Sequence, residues 1–310
     1  MDAVVAHSEA AMEKGSSSFR AATRLFGEEL REDVWQLYAW CRRCDDEIDG
    51  QDHGGVSAEM SAAERRERLE WIRRRTHAAM AGEPVKDPAF VAFQRVAAKH
   101  RLDEAWPQEL LDGFALDVDE AKYATVEDLL AYCWGVAGVV GVMMAQIMGV
   151  RDAEVLKRAQ DLGLAFQLTN ICRDVREDAL NGRVYLPAER LSAAGVPATA
   201  EALRNPFNHD QIFRVVAEQL ALAERYYASA RVGLRDLPFR GALAVAAARD
   251  VYRAIGRRIL SRGPDALASR MSVPKPLMAL LVARGVLVAL WSRADRLFPR
   301  PARPALWSKL

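Results

Sequence analysis

Apolar residues recur along this chain at the three- and four-residue spacings of helices, and no stretch keeps the alternation of a strand. Residues 33–49 place apolar side chains at 34, 35, 37, 38, 41 and 48, and Gly50 supplies the stop signal. Residues 51–60 read as a polar loop, and 65–81 as a heavily charged helix ended by Gly82 and Pro84. Asp87 before Pro88 is an N-cap followed by a first-turn proline, opening a helix to about Lys99. Pro107 begins another, running to about Tyr123. Thr125 and Asp128 form a capping box with aspartate in place of the preferred glutamate, opening a helix to Met148. Asp152 caps a long helix that reaches Leu180 and closes at Asn181 and Gly182. After the loop NGRVYLP, helices are expected over 208–234, 239–262 and 275–297. With no repeat and no low-complexity linker, the pattern predicts one all-α domain of about ten helices over 1–298. Residues 299–310 form a proline-broken tail, expected to be unstructured.

Composition narrows this picture. A chain of 310 residues that is 51% hydrophobic can bury a sizeable core. Its 43 basic and 42 acidic residues nearly cancel, so bulk nucleic-acid binding is not expected and any anion must be recognised locally. Cys41 and Cys44 form a CxxC, but no second pair or histidine cluster follows, and zinc needs about four ligands. Cys41, Cys44, Cys133 and Cys172 are therefore expected to be reduced, packed thiols, as in a cytoplasmic protein. The N-terminus lacks the apolar region of a signal peptide. The most apolar run, residues 276–291, spans about 24 Å as a helix, short of a hydrocarbon core of about 30 Å. A buried helix is expected there, with a membrane-surface contact as the alternative.

The candidate chemistry begins with RRCDDEID, residues 42–49. Asp45 and Asp49 are four apart, on one helix face. Among 21 aspartates, one such pair means little. A second pair, Asp174 and Asp178 in QLTNICRDVRED, changes the odds. With Gln167 and Asn170 they share a stripe about 80° wide, while Phe166, Leu168, Ile171 and Cys172 point elsewhere. Tyr38, Arg42, Asp45 and Asp49 form a like stripe. Either could be a solvated helix face, but surface stripes usually carry Lys and Glu. Short carboxylates with Asn and Gln suit a hard cation such as Mg²⁺ bridging to phosphate. The small-residue run GVAGVVG, 135–141, suits either tight helix packing or room for a long apolar chain.

These residues resemble the two aspartate-rich motifs of the squalene and phytoene synthase family, whose members join two prenyl diphosphates head to head. SSSFRAATRLF, LYAWCRRCDDEIDG, YCWGVAGVVGVMMAQIMGV, LGLAFQLTNICRDVREDALNGRVYLP and VYRAIGRRI are similar to bacterial members in order and spacing. They span about four-fifths of the chain.

The resemblance implies an isoprenoid-synthase helical bundle around a central cavity. It implies Asp45 and Asp49 holding Mg²⁺ (or Mn²⁺) on one diphosphate, and Asp174 and Asp178 with Asn170 doing so opposite, two or three ions in all. Gly15, Ser16, Ser17, Ser18, Phe19, Tyr38, Arg42, Tyr132, Gln167, Arg173, Tyr252 and Arg270 match positions that contact substrate. The implied reaction condenses two geranylgeranyl diphosphates through prephytoene diphosphate to phytoene, without NADPH. A C15 relative making dehydrosqualene or presqualene diphosphate is the alternative. Peripheral contact with the inner face of the membrane, and a downstream phytoene desaturase, are implied as partners. A non-catalytic scaffold is disfavoured by the two intact pairs, and a di-iron bundle by the absence of Glu-x-x-His.

Overall fold

The computed structural model describes residues 2–15, 17–50 and 60–310, without the side chains of Ser17, Ser18 and Asp49. Fourteen α-helices and no strand occur among the described residues. Two helices at the start had no expectation in the sequence: α1 (Ala3–Lys14), capped by Asp2, and α2 (Ser17–Thr23). The next, α3 (Glu28–Asp49), ends at Gly50 in the left-handed region, as its spacing implied. Then come α4 (Ala62–Met80), opened by a Ser61/Glu64 capping box, α5 (Pro88–His100) and α6 (Ala105–Val118). The expected loop at 51–60 lies almost wholly outside the described residues.

The predicted run to Tyr123 stops at Val118 because the carbonyls of Tyr123 and Ala124 accept from the backbone N–H groups of Ala188 and Glu189. The Thr125/Asp128 box opens α7 (Val126–Cys133) as expected. The helix does not run straight to Met148. A π-turn over Trp134–Gly138 separates α7 from α8 (Val139–Ile147). Such turns insert one residue per turn and re-aim the following face. After α9 (Ala153–Leu180), two short helices escaped the pattern, α10 (Ala188–Ala193) and α11 (Ala200–Arg204). The chain closes with α12 (His209–Gly233), α13 (Phe239–Arg262) and α14 (Lys275–Ala294).

Two apolar clusters form the core. One gathers α3, α5, α6 and α8, with Trp40 stacked on Phe93 at 4.0 Å between ring centroids. The other gathers α9, α12 and the second half of α13. A cavity of about 450 Å³ opens between them.

Two expectations fail at the C-terminus. The run at 276–291 is not a buried helix. With the turn Asp295–Leu297, α14 is long and apolar enough to cross a membrane by length and composition, and only 17% of its most apolar stretch is buried. Helix α7 through α8, Val126–Ile147, passes the same test but is mostly buried in the core. The tail has no regular structure, yet it is not loose. Trp307 packs against both clusters, and Arg303 makes two hydrogen bonds to the fully buried Asp161, at 2.9 and 2.7 Å.

A candidate active site between two polar walls

The first wall is the C-terminal half of α3. Tyr38, Arg42 and Asp45 line the cavity at successive turns of one face. Arg42 pairs with Asp45 at 3.1 Å and with the buried Asp46 at 2.5 Å. Arg43 binds Glu47 and Asp87. The acids crowded into 45–49 are thus offset by arginines one turn back, and Asp46 and Glu47 are paired rather than solvated. Asp49 ends α3 in sequence register with Asp45, but its side chain lies outside the described residues. Tyr38 stacks on Phe19 at 5.7 Å and closes over Gly15, where a Cβ would collide with the Tyr38 hydroxyl. Ser16, and the side chains of Ser17 and Ser18, lie outside the described residues.

The second wall is on α9. Gln167 and Asn170 line the cavity, and Asp174 and Asp178 continue the stripe one and two turns further along. Arg173 forms a two-pronged pair with Asp174, while Arg270 reaches Asp174 at 3.1 Å and Glu177 at 3.6 Å. Arg270, drawn from beyond α13, is thereby placed at this wall. Asn170 donates to Gln167 at 3.4 Å, but its own buried Oδ1 accepts no hydrogen bond. Burial first, then the charge on Asp174, pushes the Asp178 carboxyl up to about 8, against the pull of Arg183. Arg173 and Arg270 are engaged by Asp174, so neither feature is relieved by these two arginines.

Tyr252 completes the mouth, stacked on Phe166 at 4.3 Å. Tyr132 faces the cavity from α7, and the spacing gave no hint of its partners. Its hydroxyl donates to Asp117 at 2.9 Å, as does that of Tyr185 at 2.7 Å. Burial drives the Tyr132 hydroxyl well up, so it keeps its proton and donates. Asp117 and Phe166 were not among the sequence candidates. The only signal for Asp117 is an aspartate three residues after Phe114, on the apolar face of α6.

The cysteines serve packing. All four are free, and burial pushes the Cys41 thiol up to about 12. The run 135–141 meets both readings left open by composition. A Cβ on Gly135 would meet the Gly113 backbone at 2.7 Å, and one on Gly141 the Ala159 carbonyl at 2.5 Å. Close helix approach is their role. The cavity is lined from the same turns by Val136, Ala137, Val140 and Gly141, so the run supplies room as well as packing.

Residues 12–276 match the family model described as squalene/phytoene synthase. The chain belongs to the squalene/phytoene synthase family. A relative from Pseudescherichia vulneris, named phytoene synthase, is 46% identical over 98% of this chain and 97% of its own. One from Paracoccus sp. (strain N81106 / MBIC 01143), named 15-cis-phytoene synthase, is 44% identical over 100% and 99%. A crystal structure of a dehydrosqualene synthase with ligand superposes with a TM-score of 0.81 at 27% identity, covering 93% of this chain and 97% of that one. The squalene/phytoene synthase family thus accounts for the all-α bundle that the hydrophobic pattern implied.

Proposed function

We propose that this squalene/phytoene synthase family member condenses two geranylgeranyl diphosphates, through a cyclopropyl diphosphate, to phytoene with release of two diphosphates. The observation that carries the reading is similarity at 44–46% identity along the whole chain to proteins named phytoene synthase.

The donor set fits divalent cations. Among the described residues no three carboxylate, imidazole or thiol groups gather around one point. Each wall instead presents its own oxygens, which suits Mg²⁺ held by one or two carboxylates and completed by phosphate. Asp45 and Asp49 would hold it on one side; Asp174, Asp178 and Asn170 would hold it on the other. When bound, Mg²⁺ or Mn²⁺ neutralises charge developing on the departing diphosphate. The unsatisfied Asn170 oxygen and the raised Asp178 carboxyl are the local features such a cation would relieve.

The remaining work falls to side chains. Arg42, Arg173 and Arg270 stand where they can take up diphosphate oxygens, trading their present carboxylate partners for the substrate. Phe19, Tyr38, Tyr132 and Tyr252 present ring faces to an allylic cation. The apolar interior excludes water that would quench that cation. Loss of a proton then ends the reaction without a reductant.

Membrane contact belongs to the same proposal. On α14, Leu280, Leu287 and Trp291 recur on one face with exposures of 64–67%. The opposite face is tied down, with Gly285, Ala289 and Ser292 buried and Gly285 against Ala247, while Arg284, beside the exposed row, reaches the buried Asp250 at 3.1 Å. That arrangement suits a helix lying on the inner face of the membrane. A product retained there is accessible to a desaturase.

The test is metal-dependent turnover in paired variants. Asp45→Asn and Asp174→Asn should each keep a wild-type circular dichroism spectrum and cut turnover by about 10³-fold or more, as losses of charge-stabilising groups do. Near-normal rates in either variant would refute the two-walled assignment.

A further inference from the structure

We propose that the cavity measures the substrate tail in helical turns, and that Ala159 and Met148 set the accepted length at four prenyl units. The proposal rests on the phytoene synthase reading and names the residues that would make the choice of C20 over C15.

The cavity runs along two antiparallel helical segments. On α9 its lining descends from Asn170 through Phe166 and Leu162 to Ala159 and Val155. From 170 to 155 the helix rises about 22 Å, roughly four turns. On the facing segment the lining descends from Tyr132 through Val136 and Val140 to Met144 and Met148. The levels are matched by backbone contact. The Ala137 carbonyl crowds Gly163, and the Ala159 carbonyl lies 2.5 Å from where a Gly141 Cβ would sit. Polar groups gather at the upper end; the one charged residue lining the lower end, Arg158, spends its guanidinium on Ser229 and the Pro301 carbonyl. The lower end is closed by Met148, Val155, Leu234 and Leu237, each at most 7% exposed.

An extended chain advances about 1.2 Å per bond, since three backbone bonds span at most about 3.6 Å. One prenyl unit adds four bonds to the chain, about 5 Å, close to the helical pitch of about 5.4 Å. Four units therefore occupy about four turns and end at the level of Met148 and Val155. Three units end one turn higher, at Ala159 and Gly141. Ala159 is the residue to enlarge, because it lines the cavity while its helix touches its neighbour through the carbonyl. Each extra methylene offers only about 0.8 kcal/mol of transfer energy, so a steric floor discriminates length better than affinity does. Met148 is that floor, and Gly241 beneath it leaves its sulfur in place, since a Cβ there would lie 3.2 Å from Met148 Sδ.

The experiment measures kcat/KM for C15, C20 and C25 prenyl diphosphates with Mg²⁺, in wild type, Ala159→Phe and Met148→Ala. Melting curves and circular dichroism run in parallel. Ala159→Phe should raise the C15-to-C20 ratio at least tenfold. Met148→Ala, which only removes atoms, should admit the C25 substrate that wild type rejects, and it decides the matter alone if Ala159→Phe does not fold. Folded variants that keep wild-type ratios while wild type makes a C40 hydrocarbon would overturn the ruler and leave the phytoene reading intact. A wild type that makes no C40 hydrocarbon would overturn that reading itself.

Discussion

Asp178 ties the stability of the fold to the chemistry proposed for this site. Its carboxyl, pushed up to about 8, holds a proton in the folded protein that the unfolded chain gives up near pH 4. Folded-state pKa lies above the unfolded value of an acid, so this residue costs stability as pH rises from about 4 to about 8. In EDTA, Asp178→Asn should therefore be more stable than wild type at pH 8, by on the order of a few kcal/mol, with the difference shrinking toward pH 4. Urea unfolding at the two pH values measures it, and an Asn variant less stable at pH 8 would contradict the account. The same variant should be inactive. The aspartate pairs were legible because their spacing repeats. Asp117 was not, because a lone aspartate on α6 acquires its meaning only when folding brings Tyr132 and Tyr185 to it.

Helices with strong caps were placed almost to the residue: Thr125 with Asp128, Asp87 with Pro88, Asp152, and Gly50. Each of these is a local signal that folding does not override. The π-turn at Trp134–Gly138 left no such mark, since it answers to packing between Gly135 and Gly113. Helix α14 reversed its expected environment. Periodicity finds its apolar face but cannot say whether protein covers it, and here α13 covers the other face, at Gly285. If α14 lies on a membrane, Leu287→Asp combined with Trp291→Asp should weaken flotation with anionic lipid vesicles at least fivefold while leaving activity on detergent-dispersed substrate within twofold. Unchanged flotation would remove α14 from the membrane surface.

Across the molecule, the tail ties the far end of the chain to the cavity wall. Arg303 binds Asp161, which also accepts from Ser229, and Arg158 beside it lines the cavity and donates to the Pro301 carbonyl. Proline density made residues 299–310 read as unstructured, because composition sees lost helix and not a buried ion pair 142 residues away in sequence. Removing one partner of a buried pair costs about 3–5 kcal/mol. Arg303→Ala should lower stability by that order in denaturant unfolding, and a change below about 1 kcal/mol would show the tail to be dispensable.

The central claim, that this two-walled bundle builds a C40 hydrocarbon from C20 diphosphates without a reductant, is open to one direct measurement. Purified protein is incubated with equal concentrations of geranylgeranyl and farnesyl diphosphate, Mg²⁺ and no NADPH, and the hydrocarbon extract is read by mass spectrometry. Phytoene, lost when EDTA replaces Mg²⁺, is the predicted result. A C30 hydrocarbon, or arrest at the C30 cyclopropyl diphosphate, would contradict it.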